Sequence, residues 1–170
     1  MPPVKRIFLV EDHPIFRMGM VELLNADAGL SVCGEAENLA AARRLINAQT
    51  PDLVIVDITL KGRNGIELIR DINKHHKNLP VLVLSMYPED QFATRVLKAG
   101  ASGYMTKETA PEELVNAINK ILDGGRYVSS WLAEILARDL SRDARSSATH
   151  EQLSDREFQV LRLISSGMWV

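Results

Sequence analysis

Five short strand-like runs, each closing on polar residues and each followed by a stretch with helical spacing, limit most sharply what this chain folds into. The clearest is Leu53-Val54-Ile55-Val56, wholly apolar and mostly β-branched, which stops at Asp57. Continuous apolar strands of this kind are covered on both faces, as in parallel sheets packed between helices. Residues 6–10, 30–35, 80–85 and 102–106 read as the other four strands. Strict alternation of strand and helix implies right-handed crossovers with helices on both faces. The predicted fold is α/β, a doubly wound five-stranded parallel sheet in the order 2-1-3-4-5, occupying residues 1–125.

The intervening segments carry helix signals. Pro14 opens the first helix where its missing N–H does no harm, and Phe16, Met20, Leu23 and Leu24 form an apolar stripe. Asn38 caps a second helix over residues 39–48, with Ala41, Leu45, Ile46 and Ala48 expected to face the sheet. Lys61-Gly62-Arg63-Asn64-Gly65 is a turn by composition, and Ile66, Leu68, Ile69 and Ile72 mark the third helix. A fourth covers residues 89–99 up to Gly100, and a fifth runs from Pro111 through Leu114, Ile118 and Leu122 to Gly124-Gly125.

In open α/β sheets, ligands bind beyond the carboxyl ends of the strands at the topological switch, here between the first and third strands. Those two strands deliver Glu11, Asp12 and Asp57, and the flanking strands deliver Ser85 and Lys107 to the same edge. Clustered carboxylates repel one another unless a cation neutralises them. An all-oxygen donor set, without Cys or well-spaced His, favours Mg²⁺, and the backbone carbonyl of Thr59 is a further candidate ligand. Lys107 and Ser85 are donors suited to phosphoryl oxygens, and a carboxylate between such groups can act as a nucleophile and form an acyl phosphate. Asp57 is the most central of the three acids. No glycine-rich phosphate loop follows the first strand, which argues against nucleotide binding.

Composition sets outer bounds. A net charge of -2 gives no bulk attraction to nucleic acid or anionic membrane. The single Cys33 excludes a disulfide framework, fits a reducing cytoplasm and is expected as a small core residue. No run is long and apolar enough to cross a bilayer, and no signal peptide is expected. Adjacent His75 and His76 point apart on a helix and argue against zinc, while His13 is expected to position the loop after Asp12.

Glu11-Asp12-His13-Pro14, the strand ending in Asp57, Ser85, Gly100-Ala101-Ser102-Gly103-Tyr104 and Lys107 resemble the receiver domain of bacterial two-component response regulators. The resemblance covers about the first three-quarters of the chain and implies a flavodoxin-like receiver fold. It assigns Glu11 and Asp12 to Mg²⁺, Asp57 as phosphoacceptor, Ser85 and Lys107 to the phosphoryl, and Tyr104 to the switch. It implies a sensor histidine kinase as phosphodonor. The switch expected from it draws Ser85 toward the phosphoryl, turns Tyr104 inward and reshapes the face built by the fourth helix, fifth strand and fifth helix. No external substrate is implied, only the chain's own dephosphorylation. Two positions depart from the common pattern: Lys61 and Glu108 stand where many receivers have Pro, which leaves the peptide geometry after Lys107 open. Two alternatives are a receiver-fold module that never takes phosphate and a phosphohydrolase with an aspartyl nucleophile. The second lacks the further acid expected two residues after Asp57.

Residues 126–152 read as a connector helix, capped by Ser129 or Ser130 and marked by Leu132, Ile135, Leu136 and Leu140, followed by a polar linker. Ser154 and Glu157 then form a capping box ahead of Phe158, Val160, Leu161 and Ile164. Residues 153–170 resemble the first helix of a LuxR-type helix-turn-helix output domain, which makes the chain similar to the NarL/FixJ subgroup of transcriptional regulators. The implied partners are promoter DNA for the complete protein and a second copy of the chain on phosphorylation. One helix without the recognition helix, with Arg142, Arg145, Arg156 and Arg162 offset by Asp143, Glu151, Asp155 and Glu157, is not expected to bind DNA alone.

Overall fold

A computed structural model describes residues 3–60, 63–109 and 111–142. Five parallel strands form the sheet: β1 Lys5–Val10, β2 Leu30–Ala36, β3 Leu53–Asp57, β4 Val81–Ser85 and β5 Gly103–Thr106. Their order is β2-β1-β3-β4-β5, as the alternation predicts. The helices are α1 Pro14–Ala26, α2 Leu39–Gln49, α3 Ile66–His75, α4 Glu89–Lys98, α5 Pro111–Leu122 and α6 Ser130–Arg142. Between β3 and α3 the expected turn is a small antiparallel hairpin, Thr59 opposite Asn64 and Leu60 opposite Arg63. Turn composition alone does not reveal that pairing.

Alternation along the strands divides the core. Ile7, Leu9, Leu53, Ile55, Leu82, Leu84 and Met105 pack with Met20 and Leu24 of α1 and with Leu114, Ala117, Ile118 and Ile121 of α5. Phe8, Val10, Val54, Val56 and Val83 point to the opposite face and are buried there. At roughly 25 cal/mol per Å² of apolar surface, such two-sided burial is the main stabilising term.

Local signals explain most boundaries. Asn38 Oδ1 accepts the Ala41 amide at 2.9 Å and caps α2. Gly100 ends α4 with φ +110, a conformation costly for any residue with a Cβ, and an added Cβ there would also strike Asn73 at 2.6 Å. Two side-chain expectations fail. In α2 the buried residues are Leu39, Ala42 and Ile46, whereas Ala48, about 200° around the helix from Ile46, is exposed. Cys33 lies on edge strand β2 and is half-buried rather than in the core.

The first compact unit ends at Leu132. Tyr127 lies within it: its amide donates to Ser102 O at 3.0 Å, and its carbonyl accepts from the Tyr104 amide at 3.3 Å, which adds a short parallel bridge to β5. Ser129 caps α6 by accepting the Leu132 amide at 3.1 Å, and Leu132 is buried. The second unit begins at Ala133; there α6 continues to Arg142 with an exposed Glu134–Arg138 pair. The first output helix expected over residues 153–170 lies outside the described residues. Among the described residues, no helix is long and apolar enough to cross a membrane.

Candidate functional site

Parallel strands end on one edge, so the residues just past them meet. Glu11 follows β1, with its amide bonded to Ala36 O of β2 at 2.9 Å. Asp57 closes β3, pairs with Leu84 of β4 and is 3% exposed. Ser85 closes β4 and is fully buried, and Lys107 follows β5 with its amide bonded to Ser85 O at 2.8 Å. The Lys107 ammonium reaches across the edge, 2.7 Å from Glu11 Oε2 and 2.8 Å from Asp57 Oδ2. It also lies over the Phe16 ring, 4.5 Å from its centroid, a cation–π contact that holds it from the α1 side. The Lys107–Glu108 peptide, whose geometry the sequence leaves open, is trans.

The electrostatics follow from burial. Desolvation is the largest influence on Asp57 and, with the nearby Glu11 charge, holds its carboxyl above the ordinary 3.8 despite the opposing bonds from Lys107 and the Thr59 amide. For Lys107 desolvation pulls downward, but the bonds to Asp57 and Glu11 outweigh it and lift the ammonium above the ordinary 10.5. The lysine therefore stays charged through the neutral range. Glu11, Asp12 and Asp57 against one ammonium give 3 − 1 = 2 excess negative charges at the site once all three acids are ionised. Glu11, Asp12, His13 and Asp57 each offer a ligand atom, all within 4.8 Å of one another. That donor set and its excess charge fit a divalent cation.

The predicted residues thus converge: Glu11, Asp12, Asp57 and Lys107 share one cluster, and Ser85 ends the strand next to Asp57. Thr59 is beside it too, its amide donating to Asp57 Oδ1 at 3.0 Å. Ser85 Oγ accepts the Tyr87 amide at 3.1 Å, and the Tyr104 hydroxyl donates to Tyr87 O at 2.8 Å. Tyr104 is fully buried.

Several supporting residues escape a reading of strand ends. Arg17 on α1 donates to the Glu11 carbonyl at 2.7 Å and pairs with Glu35 at 3.1 Å. Gly65 donates its amide to Ile58 O at 2.7 Å, and a Cβ there would lie 2.5 Å from the Asp57 carbonyl. By contrast His13, expected to position the loop after Asp12, turns its ring to the acids, with Nδ1 at 3.2 Å from Glu11 Oε1 and 3.3 Å from Asp12 Oδ1. Its position directly after the acidic pair and before Pro14 was the available signal.

Comparison with known proteins agrees. Residues 7–119 match the profile of the response regulator receiver domain family. "Response regulator GacA" of Pseudomonas aeruginosa is 33% identical over 161 residues, which is 95% of this chain and 75% of that protein. "DNA-binding transcriptional activator DevR/DosR" of Mycobacterium tuberculosis is 36% identical over 163 residues, 96% of this chain and 75% of the relative. Among solved structures, a LuxR-family two-component response regulator from Aurantimonas sp. SI85-9A1 superposes with a TM-score of 0.74 at 40% identity, over 81% of this chain and 99% of that one. RcsB of Salmonella enterica serovar Typhimurium, bound to a promoter, gives a TM-score of 0.73 at 25% identity over 97% of this chain and 78% of that one. The chain belongs to the response regulators, with a receiver domain of the NarL/FixJ type.

Proposed function

We propose that the chain accepts a phosphoryl group on Asp57 from the phosphohistidine of a sensor kinase, and that the modified receiver controls a transcriptional output. The observation that carries this reading is the Lys107 ammonium between Glu11 and Asp57 at 2.7 and 2.8 Å. Asp57 is central, ionisable and oriented by two donors, Lys107 and the Thr59 amide. An Asp57 carboxylate oxygen forms the new bond to phosphorus as the phosphorus–nitrogen bond of the donor breaks, and the electron pair leaves on the imidazole. Lys107 and the Ser85 hydroxyl then hold phosphoryl oxygens, where charge-assisted bonds are strongest. Mg²⁺ held by Glu11, Asp12, Asp57 and the Thr59 carbonyl would supply positive charge for the transferring group. No external substrate is turned over; hydrolysis of the acyl phosphate resets the chain.

A groove of about 380 Å³ beside Lys107, lined by Ile15, Phe16, Leu23, Pro111 and Leu114, supports α1 as the side that meets the kinase. Ile15 and Met18 on that helix are 87% and 65% exposed. The relatives' DNA-binding activity supports promoter DNA as the partner of the output domain and a second copy of the chain as the phosphorylated assembly. On this reading residues 1–125 form the receiver, 126–152 a connector and 153–170 the start of the output domain, all in the cytoplasm.

Intact mass after incubation with a small phosphodonor and Mg²⁺ tests it. One base-labile phosphoryl that vanishes with chelator and in Asp57→Asn is expected. A stable mass in the folded wild type, together with no binding of a phosphoryl mimic, would overturn it.

A further inference from the structure

We propose that His13 is a ligand of the cation site and turns its preference from Mg²⁺ toward a borderline transition ion such as Co²⁺. This rests on the reading of Glu11, Asp12 and Asp57 as the cation-dependent phosphorylation pocket. Ligands cis to one another on an ion with bonds near 2.1 Å are about 3 Å apart. His13 Nδ1 already lies at 3.2 Å from Glu11 Oε1 and 3.3 Å from Asp12 Oδ1. The farthest pair among the four ligand atoms, within 4.8 Å, needs a shift of only a few tenths of an ångström to span one ion.

The backbone holds the ring there. A residue before proline is steered out of the helical region, and His13 has φ -82 and ψ 110. Its amide donates to Glu11 Oε1 at 3.0 Å, which draws the histidine and the acid together. Packing does not account for the ring's position, since the side chain is 70% exposed. Capping does not account for it either: His13 occupies the N-cap of α1, yet its side chain accepts no hydrogen bond from the helix. What remains is its approach to the two acids, with the open side toward solvent as a path for an ion. Mg²⁺ prefers oxygen donors and keeps its waters, whereas imidazole favours later first-row ions.

The test uses the full chain freed of metal by chelator, with Co²⁺ followed by its visible absorption and Mg²⁺ by calorimetry. His13→Ala and His13→Gln should weaken Co²⁺ on the order of tenfold or more and change Mg²⁺ by less than about twofold. Replacing His75 and His76 at the end of α3 by Ala should leave Co²⁺ affinity intact. Unaltered Co²⁺ affinity in the His13 variants, or equal losses for both ions, would overturn the proposal, as would loss of Co²⁺ binding on removing His75 and His76. Asp57→Asn separates the two readings: if it leaves both ions bound as before, the cation lies elsewhere and the pocket assignment fails with the ligand assignment.

Discussion

Replacing Lys107 by Met removes the cation between two buried acids while keeping the apolar stem. In the wild type the ammonium is 2.7 Å from Glu11 and 2.8 Å from Asp57, with side chains 2% to 4% exposed. At an effective dielectric of about 20 each contact gives roughly 6 kcal/mol of Coulomb attraction, most of it offset by desolvation of the three groups. Removing one partner of such a buried set costs about 3–5 kcal/mol, because the acids stay buried without their counter-charge. Protonation limits the loss: the Asp57 carboxyl, already above 3.8 through burial, rises further without Lys107. The folded variant then binds more protons than the unfolded chain, so its stability increases as pH falls. The wild-type ammonium, raised above 10.5, contributes fully below that value and loses its contribution only as pH climbs through its folded pKa. Urea unfolding with chelator should therefore show a loss of about 3 kcal/mol at pH 8, a midpoint shift near 2 M, shrinking by at least about half at pH 5. Added Mg²⁺ should recover part of the loss at pH 8. An equal loss at both pH values, or one below about 1 kcal/mol, would refute the charge argument.

Asp57→Asn should abolish the phosphoryl adduct and stabilise the fold at pH 8 by on the order of 1 kcal/mol, because burial penalises the ionised carboxyl. Wild-type stability in chelator should fall as pH rises from 3.8 through the raised folded value, and comparison of the two denaturation series should show that this fall is missing in the variant. Gly65→Ala places a Cβ 2.5 Å from the Asp57 carbonyl and 3.1 Å from Ile58 Cα. Neither is a flexible side-chain end, so we expect a loss of about 2 kcal/mol in urea and slower adduct formation by mass. Asn38→Ala removes the cap on α2 and should cost about 1 kcal/mol while leaving the adduct rate unchanged.

The site was legible because parallel strands convert sequence position into place. Residues just past β1, β3, β4 and β5 share one edge, so Glu11, Asp12, Asp57, Ser85 and Lys107 could be grouped by where their strands stop. Side-chain direction was not legible. Nothing in the spacing shows that Lys107 spans from β5 to Glu11 over the Phe16 ring, or that Arg17 braces the Glu11 carbonyl. Gly65 looked like ordinary turn chemistry, and its need for contact with Asp57 depends on a hairpin that local propensity does not encode. Cys33 was misplaced although Ser31, Gly34 and Glu35 mark β2 as a half-exposed edge strand, and the thiol shares that partial burial.

The same geometry decides where a switch draws its energy. Moving an equilibrium from 1:99 to 99:1 needs about 5.5 kcal/mol of differential stabilisation, and each charge-assisted bond supplies roughly 1.5–3 kcal/mol. On the proposed function, Lys107 already bonds Asp57, so its contact with a phosphoryl would replace an existing bond and add little that is new. Ser85 differs: its oxygen accepts the Tyr87 amide, and its O–H is a separate donor that a phosphoryl oxygen would engage without giving that bond up, a net gain. The Tyr87 carbonyl in turn accepts the hydroxyl of the buried Tyr104. On the proposed function, a phosphoryl that draws Ser85 would pull on the Tyr87 backbone, which holds Ser85 by its amide and Tyr104 by its carbonyl.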